Sequence, residues 1–286
     1  MTAVYTEETR RLQHVTLATV TIETDSLFTI AAPQAATAAD RPAAADAVGN
    51  AVVPGSSIAG SLRGHLRSDD LDEPLLGCRS PLAGDDASPT SSVLRIVGTE
   101  FSRHDLPVPA TELTSRTTVS IDRRRAAARS TLLVSSTAVP AGTRVQVYLR
   151  IDRRPEDLVD ADGQPLPDLA RLLWGWQPVL GGGRTRGEGR AHVVSVAVGT
   201  LDLTRRDDLA RWLRLHGPEL HRDVVVPVDK PSDLAAPADL LLDCRLDIVD
   251  PLHVAGAKER NRSLFYVNDG KFAVEGSSLK GVVRSR

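Results

Sequence analysis

A nine-residue segment occurs twice in the chain, and this repeat limits the possible folds more than any other feature. Residues 55–63 read GSSIAGSLR and residues 276–284 read GSSLKGVVR, with five identical positions and two that are apolar in both copies. Each copy follows a β-rich segment that contains Asp-x-Leu, and a glycine stands six residues before it. Self-similarity in matching local context indicates two copies of one structural unit, so the sequence predicts repeated strand–helix units.

Each copy places Gly-Ser-Ser at the predicted start of a helix, where backbone N–H groups lack intrahelical acceptors. These N–H groups, the hydroxyl groups and the positive end of the helix dipole all favour an anion. Arg63 in the first copy adds a charged donor for phosphate. The alternative is an ordinary helix after a tight turn, capped by Ser56 or Ser57. The motif is not a P-loop, because it lacks the Gly-Lys-Ser/Thr ending.

The rest of the chain alternates between strand and helix patterns. The predicted strands are residues 15–30, 93–99, 143–151, 191–198 and 240–249, and the predicted helices are residues 57–67, 167–179 and 202–215. This order predicts an α+β fold of the ferredoxin-like kind. The predicted domains are residues 1–200, a helix and linker at 201–239, and the beginning of a second, truncated domain at 240–286.

Composition excludes some classes of protein and leaves nucleic-acid binding open. The chain has no run of about 18 apolar residues that could span a membrane, and its first residues lack an apolar secretory segment. Cys78 and Cys244 fit no metal-ligand spacing, so reduced thiols and a cytoplasmic location are expected. The net charge is −2, but polyanions respond to local basic patches rather than to net charge.

Three features, in this order along the chain, resemble the RAMP superfamily, whose members form the backbone of type III CRISPR effector complexes. The features are VPGSSIAGSLR at 53–63 with its second copy, VSIDR at 119–123 followed by VPAGT at 139–143, and GGRTRGEGR at 182–190. The resemblance covers about residues 15–198 and restarts at 240. It implies an RRM-like RAMP core with inserted thumb loops, which holds guide RNA along one face and distorts the guide–target duplex.

The resemblance also implies partners: guide RNA, target RNA and other effector subunits. Together with the clustering of arginines beside glycines, it gives one set of predicted RNA-binding residues. These are Gly55, Ser56, Ser57, Arg63, Arg67, Arg116, Arg123, Arg124, Arg125, Gly182, Gly183, Arg184, Arg186, Arg190, Gly276, Ser277, Ser278, Lys280 and Arg284. The first copy departs from the family pattern at Ala59, where a lysine is usual and where the second copy has Lys280.

Residues 40–46 (DRPAAAD) are similar to the family's Asp-x-Pro-x-x-x-Asp segment. The resemblance implies that Asp40 is catalytic and that Asp46 is structural. A carboxylate at this place could orient an attacking 2′-hydroxyl or hold hydrated Mg²⁺ at the scissile phosphate. One carboxylate makes no preformed metal site, so no metal ligands are predicted and Mg²⁺ is expected only with bound RNA. The matching position in the second unit is Asn261, which could not act in this way.

Three functional interpretations therefore remain open. The chain is an endoribonuclease subunit that cuts target RNA through Asp40, a non-catalytic RNA-binding scaffold of the same complex, or a nucleotide-binding protein unrelated to CRISPR. The seven histidines form no close pair on a recognisable catalytic loop of the sequence, which disfavours the superfamily branch that processes RNA with histidine.

Overall fold

The centre of the molecule is a six-stranded antiparallel sheet. A computed structural model describes residues 12–30, 42–77, 91–103, 106–122, 127–154, 158, 166, 168–184, 187–234, 247, 255–259, 262–265, 267–268, 271–272 and 274. The strands of the sheet are β1 (His14–Thr24), β2 (Leu94–Arg103), β3 (Leu106–Pro107), β6 (Arg144–Ile151), β7 (Ala191–Asp202) and β8 (Val226–Val228). Their spatial order is β3-β2-β6-β1-β7-β8, and every neighbouring pair is antiparallel.

Five α-helices accompany the sheet in the described part of the chain. They are α1 (Gly55–Leu66), α2 (Asp72–Leu76), α3 (Leu169–Gly175), α4 (Arg206–Arg214) and α5 (Gly217–Val224), and single 3₁₀ turns lie at Arg67–Asp69 and Ala110–Glu112. The mixed class predicted from the sequence, with helices beside an antiparallel sheet, is confirmed. Ile58, Leu62 and Leu66, which are spaced four residues apart on one face of α1, are all buried.

The main core lies between one face of the sheet and the helices α1 to α3. Alternate residues of β1, such as Val20 and Ile22, point into it together with Ile58 and Leu62 of α1 and Leu173 of α3. Because side chains alternate along a strand, one face of β1 supplies this core and the other face is left for different contacts. Burying each large aliphatic side chain stabilises the fold by about 1.5–3 kcal/mol, which fixes α1 against the sheet.

The opposite face of the sheet is covered at one end by α4 and α5, around a smaller core. Val15, Leu17, Leu201 and Leu220 form that cluster. The chain then adds β8 to the edge of the sheet beside β7, and Trp174 Nε1 of α3 donates a hydrogen bond to the Val228 carbonyl at 3.1 Å. The helix predicted at 202–215 is observed as α4, and the chain after it adds α5 and the edge strand β8 to the main sheet.

A two-stranded ribbon is inserted between β2 and β6. It consists of β4 (Thr114–Asp122) and β5 (Ala127–Ala138), and it pairs from Thr114↔Ala138 to Asp122↔Ala127 with a register shift after Val119. The central strands β2 and β6 thus flank a long excursion that does not join the main sheet.

The C-terminal part of the chain contributes two separate strand pairs. They are β9 (Ala255–Glu259) with β10 (Arg262–Phe265), and β11 (Val267–Asn268) with β12 (Lys271–Phe272). The second copy of the repeat and all but one residue of the strand predicted at 240–249 lie outside the described residues. Within the residues that are described, no helix is long and apolar enough to cross a membrane.

Candidate nucleic-acid interface

Helix α1 begins at the first copy of the repeat, but its cap differs from the prediction. The N-cap is Pro54, with φ −55° and ψ 138°, and no side chain caps the helix. The Pro54 carbonyl accepts hydrogen bonds from the N–H groups of Ser57 at 2.8 Å and Ile58 at 3.3 Å. The expectation of Ser56 or Ser57 as N-cap is therefore wrong: Pro54, with its φ fixed by the ring, starts the helix and puts both serines in its first turn.

The outward face of α1 carries no long side chain over its first turns. Ser56, Gly60 and Gly64 recur every four residues, so they lie on one side of the helix, and all three are exposed. A Cβ atom placed at Gly60 or Gly64 would have no neighbour within 4 Å. This face leaves the helix backbone open to close approach from outside.

The glycine-rich loop before β7 is held by glycines that no other residue could replace without strain. Gly181 and Gly189 have φ values of +69° and +84°, a region that side-chain-bearing residues rarely adopt. A Cβ at Gly181 would lie 2.3 Å from the Thr29 carbonyl oxygen, and one at Gly189 would lie 2.0 Å from that of Leu180. The loop therefore packs tightly on the segment that follows β1.

Backbone hydrogen bonds fix the loop in this place. Gly182 N–H donates to the Thr29 carbonyl at 3.1 Å, Gly189 N–H to that of Leu27 at 3.0 Å, and Leu180 N–H to that of Gly189 at 2.8 Å. The predicted contact residues Gly182 and Gly183 thus belong to a turn anchored at both ends, and Gly182 faces solvent.

The first repeat helix and the glycine-rich loop meet directly. The buried Ser61 of α1 accepts a hydrogen bond at its Oγ from the backbone N–H of Val179, at 3.0 Å. Val179 in turn forms a β-bridge with Arg190 at the far end of the loop. Two sequence motifs that lie far apart along the chain are thereby joined into one structural unit.

Three of the predicted arginines are exposed at or beside these motifs. Arg184 and Arg190 are exposed on the loop, and the Arg184 guanidinium also donates to the Val179 carbonyl at 3.3 Å. The Arg67 side chain is 61% exposed just after α1. Exposed guanidinium groups of this kind can reach phosphate oxygens.

Arg63 is engaged inside the protein instead. Its guanidinium donates to the carbonyls of Leu76 at 2.7 Å and Gly77 at 2.8 Å, and to the carboxylate of Asp72 at 3.3 Å. Only 18% of the side chain is exposed. These contacts tie the end of α2 to α1, so we leave Arg63 out of the proposed phosphate contacts.

One close pair of polar side chains was missed by the sequence patterns. His192 Nδ1 lies 2.7 Å from Asp25 Oδ1, with 56% of the histidine and 49% of the aspartate side chain exposed. The two residues are 167 positions apart, and only the pairing of β1 with β7 brings them together. No local pattern in the sequence could have revealed the pair.

The sheet face opposite the main core offers no exposed aromatic ring among the described residues. Tyr148 is the aromatic residue of this face, and it is 3% exposed. Burial raises its pKa well above the usual range, helped by the hydrogen bond from its hydroxyl to Glu100 at 2.7 Å. Stacking of bases on aromatic side chains therefore has no platform here.

The Asp46 side chain binds backbone groups of its own turn. Its Oδ1 accepts hydrogen bonds from the N–H groups of Val48 and Asn50, each at 2.9 Å. These bonds, with the Asn50 N–H the strongest contributor, hold the pKa of the exposed Asp46 carboxyl below its ordinary value. Asp46 thus fixes the turn that leads into α1.

Other predicted site residues lie on β4 or outside the described residues. Arg116 lies on β4, where only the backbone is described. Outside the described residues are Asp40, Arg123, Arg124, Arg125, Arg186, Gly276, Ser277, Ser278, Lys280 and Arg284. Among the residues that the structure describes, no three histidine, cysteine or acidic side chains are grouped so as to hold a metal ion.

No protein-family model and no curated protein matches this chain. Solved structures with a similar fold include a chain of the type III-B Cmr-beta complex bound to cognate target RNA, determined by cryo-EM. That chain is 11% identical with a TM-score of 0.45, and the match covers 62% of this chain and 96% of the other. A chain of Cmr-beta in the apo state is 12% identical with a TM-score of 0.44 and the same coverage.

Proposed function

We propose that this chain is an RNA-binding backbone subunit of a type III CRISPR effector complex, which holds guide RNA by its sugar–phosphate backbone. The observation that carries the proposal is the hydrogen bond between Ser61 and Val179. It joins the Gly-Ser-Ser helix to the glycine-rich loop, the two motifs that most resemble the RAMP superfamily. Joined by this bond, the two anion-binding elements form one continuous path for a nucleic-acid strand. Each element alone would be an ordinary helix start or turn.

The topology supports a ferredoxin-like RAMP domain. The four central strands occur in the chain in the order β1, β2, β6, β7, with α1 after β1 and α3 after β6. They lie side by side as β2-β6-β1-β7. This is the strand order of the ferredoxin-like fold. The inserted ribbon of β4 and β5 carries Arg116, and we assign to it the role of the thumb that the resemblance implies.

The chemistry of the surface supports contact with the backbone rather than with bases. The face of α1 that contains Gly60 and Gly64 has room for a phosphodiester chain, and helix N-termini favour phosphate. Arg184 and Arg190 supply charged donors at the adjoining loop. Contacts of this kind position a nucleic acid without reading its sequence, which leaves recognition to base pairing of the guide.

A binding experiment with a charge-matched control tests this proposal. Gly60→Asp places a carboxylate on the open face of α1 and Leu213→Asp places one on α4, at a side chain that is 66% exposed. Gel shifts with repeat-derived guide RNA at several salt concentrations should show about ten-fold weaker binding for Gly60→Asp, because like charges repel, and little change for Leu213→Asp. Equal affinities of both variants would contradict the proposed surface.

Cutting of target RNA through Asp40 is the second part of the proposal. Its support is that Asp46, the other acid of the same segment, accepts hydrogen bonds from the N–H groups of Val48 and Asn50 in its own turn, which leaves Asp40 as the acid without an assigned structural role. Asp40→Ala should abolish cleavage of guide-matched target RNA in the presence of Mg²⁺ and leave guide affinity unchanged. Unchanged cleavage would leave the chain as a non-catalytic scaffold.

A further inference from the structure

The pair of His192 and Asp25 stands at the edge of the proposed RNA path and has a fixed geometry. Asp25 N–H donates to the Arg190 carbonyl at 2.8 Å, and Arg190 N–H donates to Ser26 Oγ at 2.9 Å. His192 is the register partner of Glu23 in the pairing of β1 with β7. Both members of the pair are therefore held by the backbone of the sheet rather than by a free loop.

This contact selects one form of the imidazole ring. A carboxylate accepts hydrogen bonds, so the Nδ1 atom that faces Asp25 at 2.7 Å carries the proton. In the neutral ring the other nitrogen, Nε2, is then an acceptor. A phosphate has no donor to offer it, whereas a ribose 2′-hydroxyl does, and this group is what distinguishes RNA from DNA.

The ring also lies beside a phosphate contact of the proposed path. Arg190 and His192 are two residues apart in extended backbone, so their side chains face the same side, and both are exposed. A nucleic-acid strand whose phosphate contacts Arg190 places its neighbouring sugar next to His192. Glu23 and Arg144, also at this end of the sheet, pair with each other at 3.0 Å.

We propose that His192, positioned by Asp25, accepts a hydrogen bond from a ribose 2′-hydroxyl and so makes the site select RNA over DNA. This inference rests on the proposed RNA-binding function. His192 is the residue in contact with the nucleic acid, and Asp25 acts through it by setting which nitrogen carries the proton.

The test measures the affinities of the full chain for guide RNA and for the same sequence in fully 2′-deoxy form. His192→Ala should reduce the RNA-to-DNA affinity ratio by about three- to ten-fold, which corresponds to one neutral hydrogen bond. His192→Gln, whose amide oxygen is also an acceptor, should restore part of the ratio. Asp25→Ala should lower the ratio and Asp25→Asn should retain most of it, an effect that loss of structure alone would not produce.

His216→Ala is the matched control, because His216 is an exposed histidine at the start of α5, and its ratio should equal that of the wild-type chain. Equal losses of RNA and DNA binding in His192→Ala would overturn the inference and leave the proposed function intact. Lost cleavage at an unchanged affinity ratio would also overturn it, by giving the pair a catalytic role. A wild-type chain that binds no RNA would overturn both proposals.

Discussion

Ser61 of α1 accepts a hydrogen bond from the backbone N–H of Val179, 118 residues further along the chain. Ser61 is 7% exposed and is one of four buried residues of its helix. A small hydroxyl residue at this position lets the segment before the glycine-rich loop lie against the helix and satisfies its N–H group. The placement of the loop therefore depends on a residue inside the repeat motif.

Ser61→Ala should destabilise the protein by about 1–2 kcal/mol, because the partly buried N–H of Val179 loses its acceptor. Urea unfolding followed by circular dichroism measures this change. Ser56→Ala is the control: this serine is exposed in the first turn of the same helix, so its effect should stay within about 0.5 kcal/mol. Equal effects of the two substitutions would mean that the hydrogen bond to Val179 contributes nothing measurable.

Two glycines of the loop allow backbone strain to be separated from steric contact. Gly187 and Gly189 have nearly equal φ values of +83° and +84°, but a Cβ at Gly187 would meet nothing within 4 Å. Gly187→Ala should thus cost only the strain of the left-handed conformation, about 1 kcal/mol. Gly189→Ala should cost several kcal/mol, because its Cβ collides with the Leu180 carbonyl. Thermal unfolding of both variants measures the difference. Similar losses would contradict the tight packing of this loop.

The sequence predicted those parts of the fold whose patterns are local. Apolar spacing located α1 to within two residues of its observed start, and alternation located β6 almost completely. The helix α5 escaped prediction although Pro218 in its first turn is a common start signal. The edge strand β8 is three residues long, and it is a strand only because β7 lies beside it.

Whether a feature depends on local sequence also decides which parts of the candidate site could be predicted. Glycine and arginine motifs marked the loop and the start of α1, since turns and helix starts have local requirements. The role of Arg63 could not be read from its motif, because its acceptors Leu76 and Gly77 belong to α2 and its end. The pair of Asp25 and His192 depends on strand register across the whole domain.

Arg63 should matter for stability, and lysine should not replace it. Its guanidinium reaches two carbonyls and the Asp72 carboxylate together, a fork that a single ammonium group cannot reproduce. Arg63→Lys should lower the free energy of unfolding by about 1–3 kcal/mol, measured by urea titration. Arg67→Lys should change it little, since Arg67 is 61% exposed and lies 3.7 Å from Asp72. An unchanged free energy of unfolding in Arg63→Lys would show that these contacts are not maintained in solution.

The turn at Asp46 should loosen in acid. The pKa of Asp46 lies below the ordinary value because the N–H groups of Asn50 and Val48 donate to its carboxylate. The stabilisation of the folded state by these bonds is therefore complete above the unfolded-state pKa, and it is lost as pH falls through the lower folded-state pKa. The amide NMR signals of Val48 and Asn50 should shift together in that acidic range. Asp46→Asn keeps an acceptor that does not titrate, so these shifts should disappear. Identical titrations of both proteins would contradict this role for Asp46.

Substitution of Gly60 should have opposite effects on stability and on RNA binding. It lies inside α1, where glycine costs about 1 kcal/mol relative to alanine, and an added Cβ would touch nothing. Gly60→Ala should therefore raise the free energy of unfolding by about 1 kcal/mol, measured by thermal or urea unfolding. If a phosphodiester backbone approaches this face closely, the same methyl group should weaken guide RNA binding.

Gly142→Ala serves as the comparison, because Gly142 is exposed in the turn before β6 with φ +72°. This substitution should lower stability and leave RNA affinity unchanged. Greater stability with undiminished affinity for Gly60→Ala would place the RNA elsewhere on the molecule.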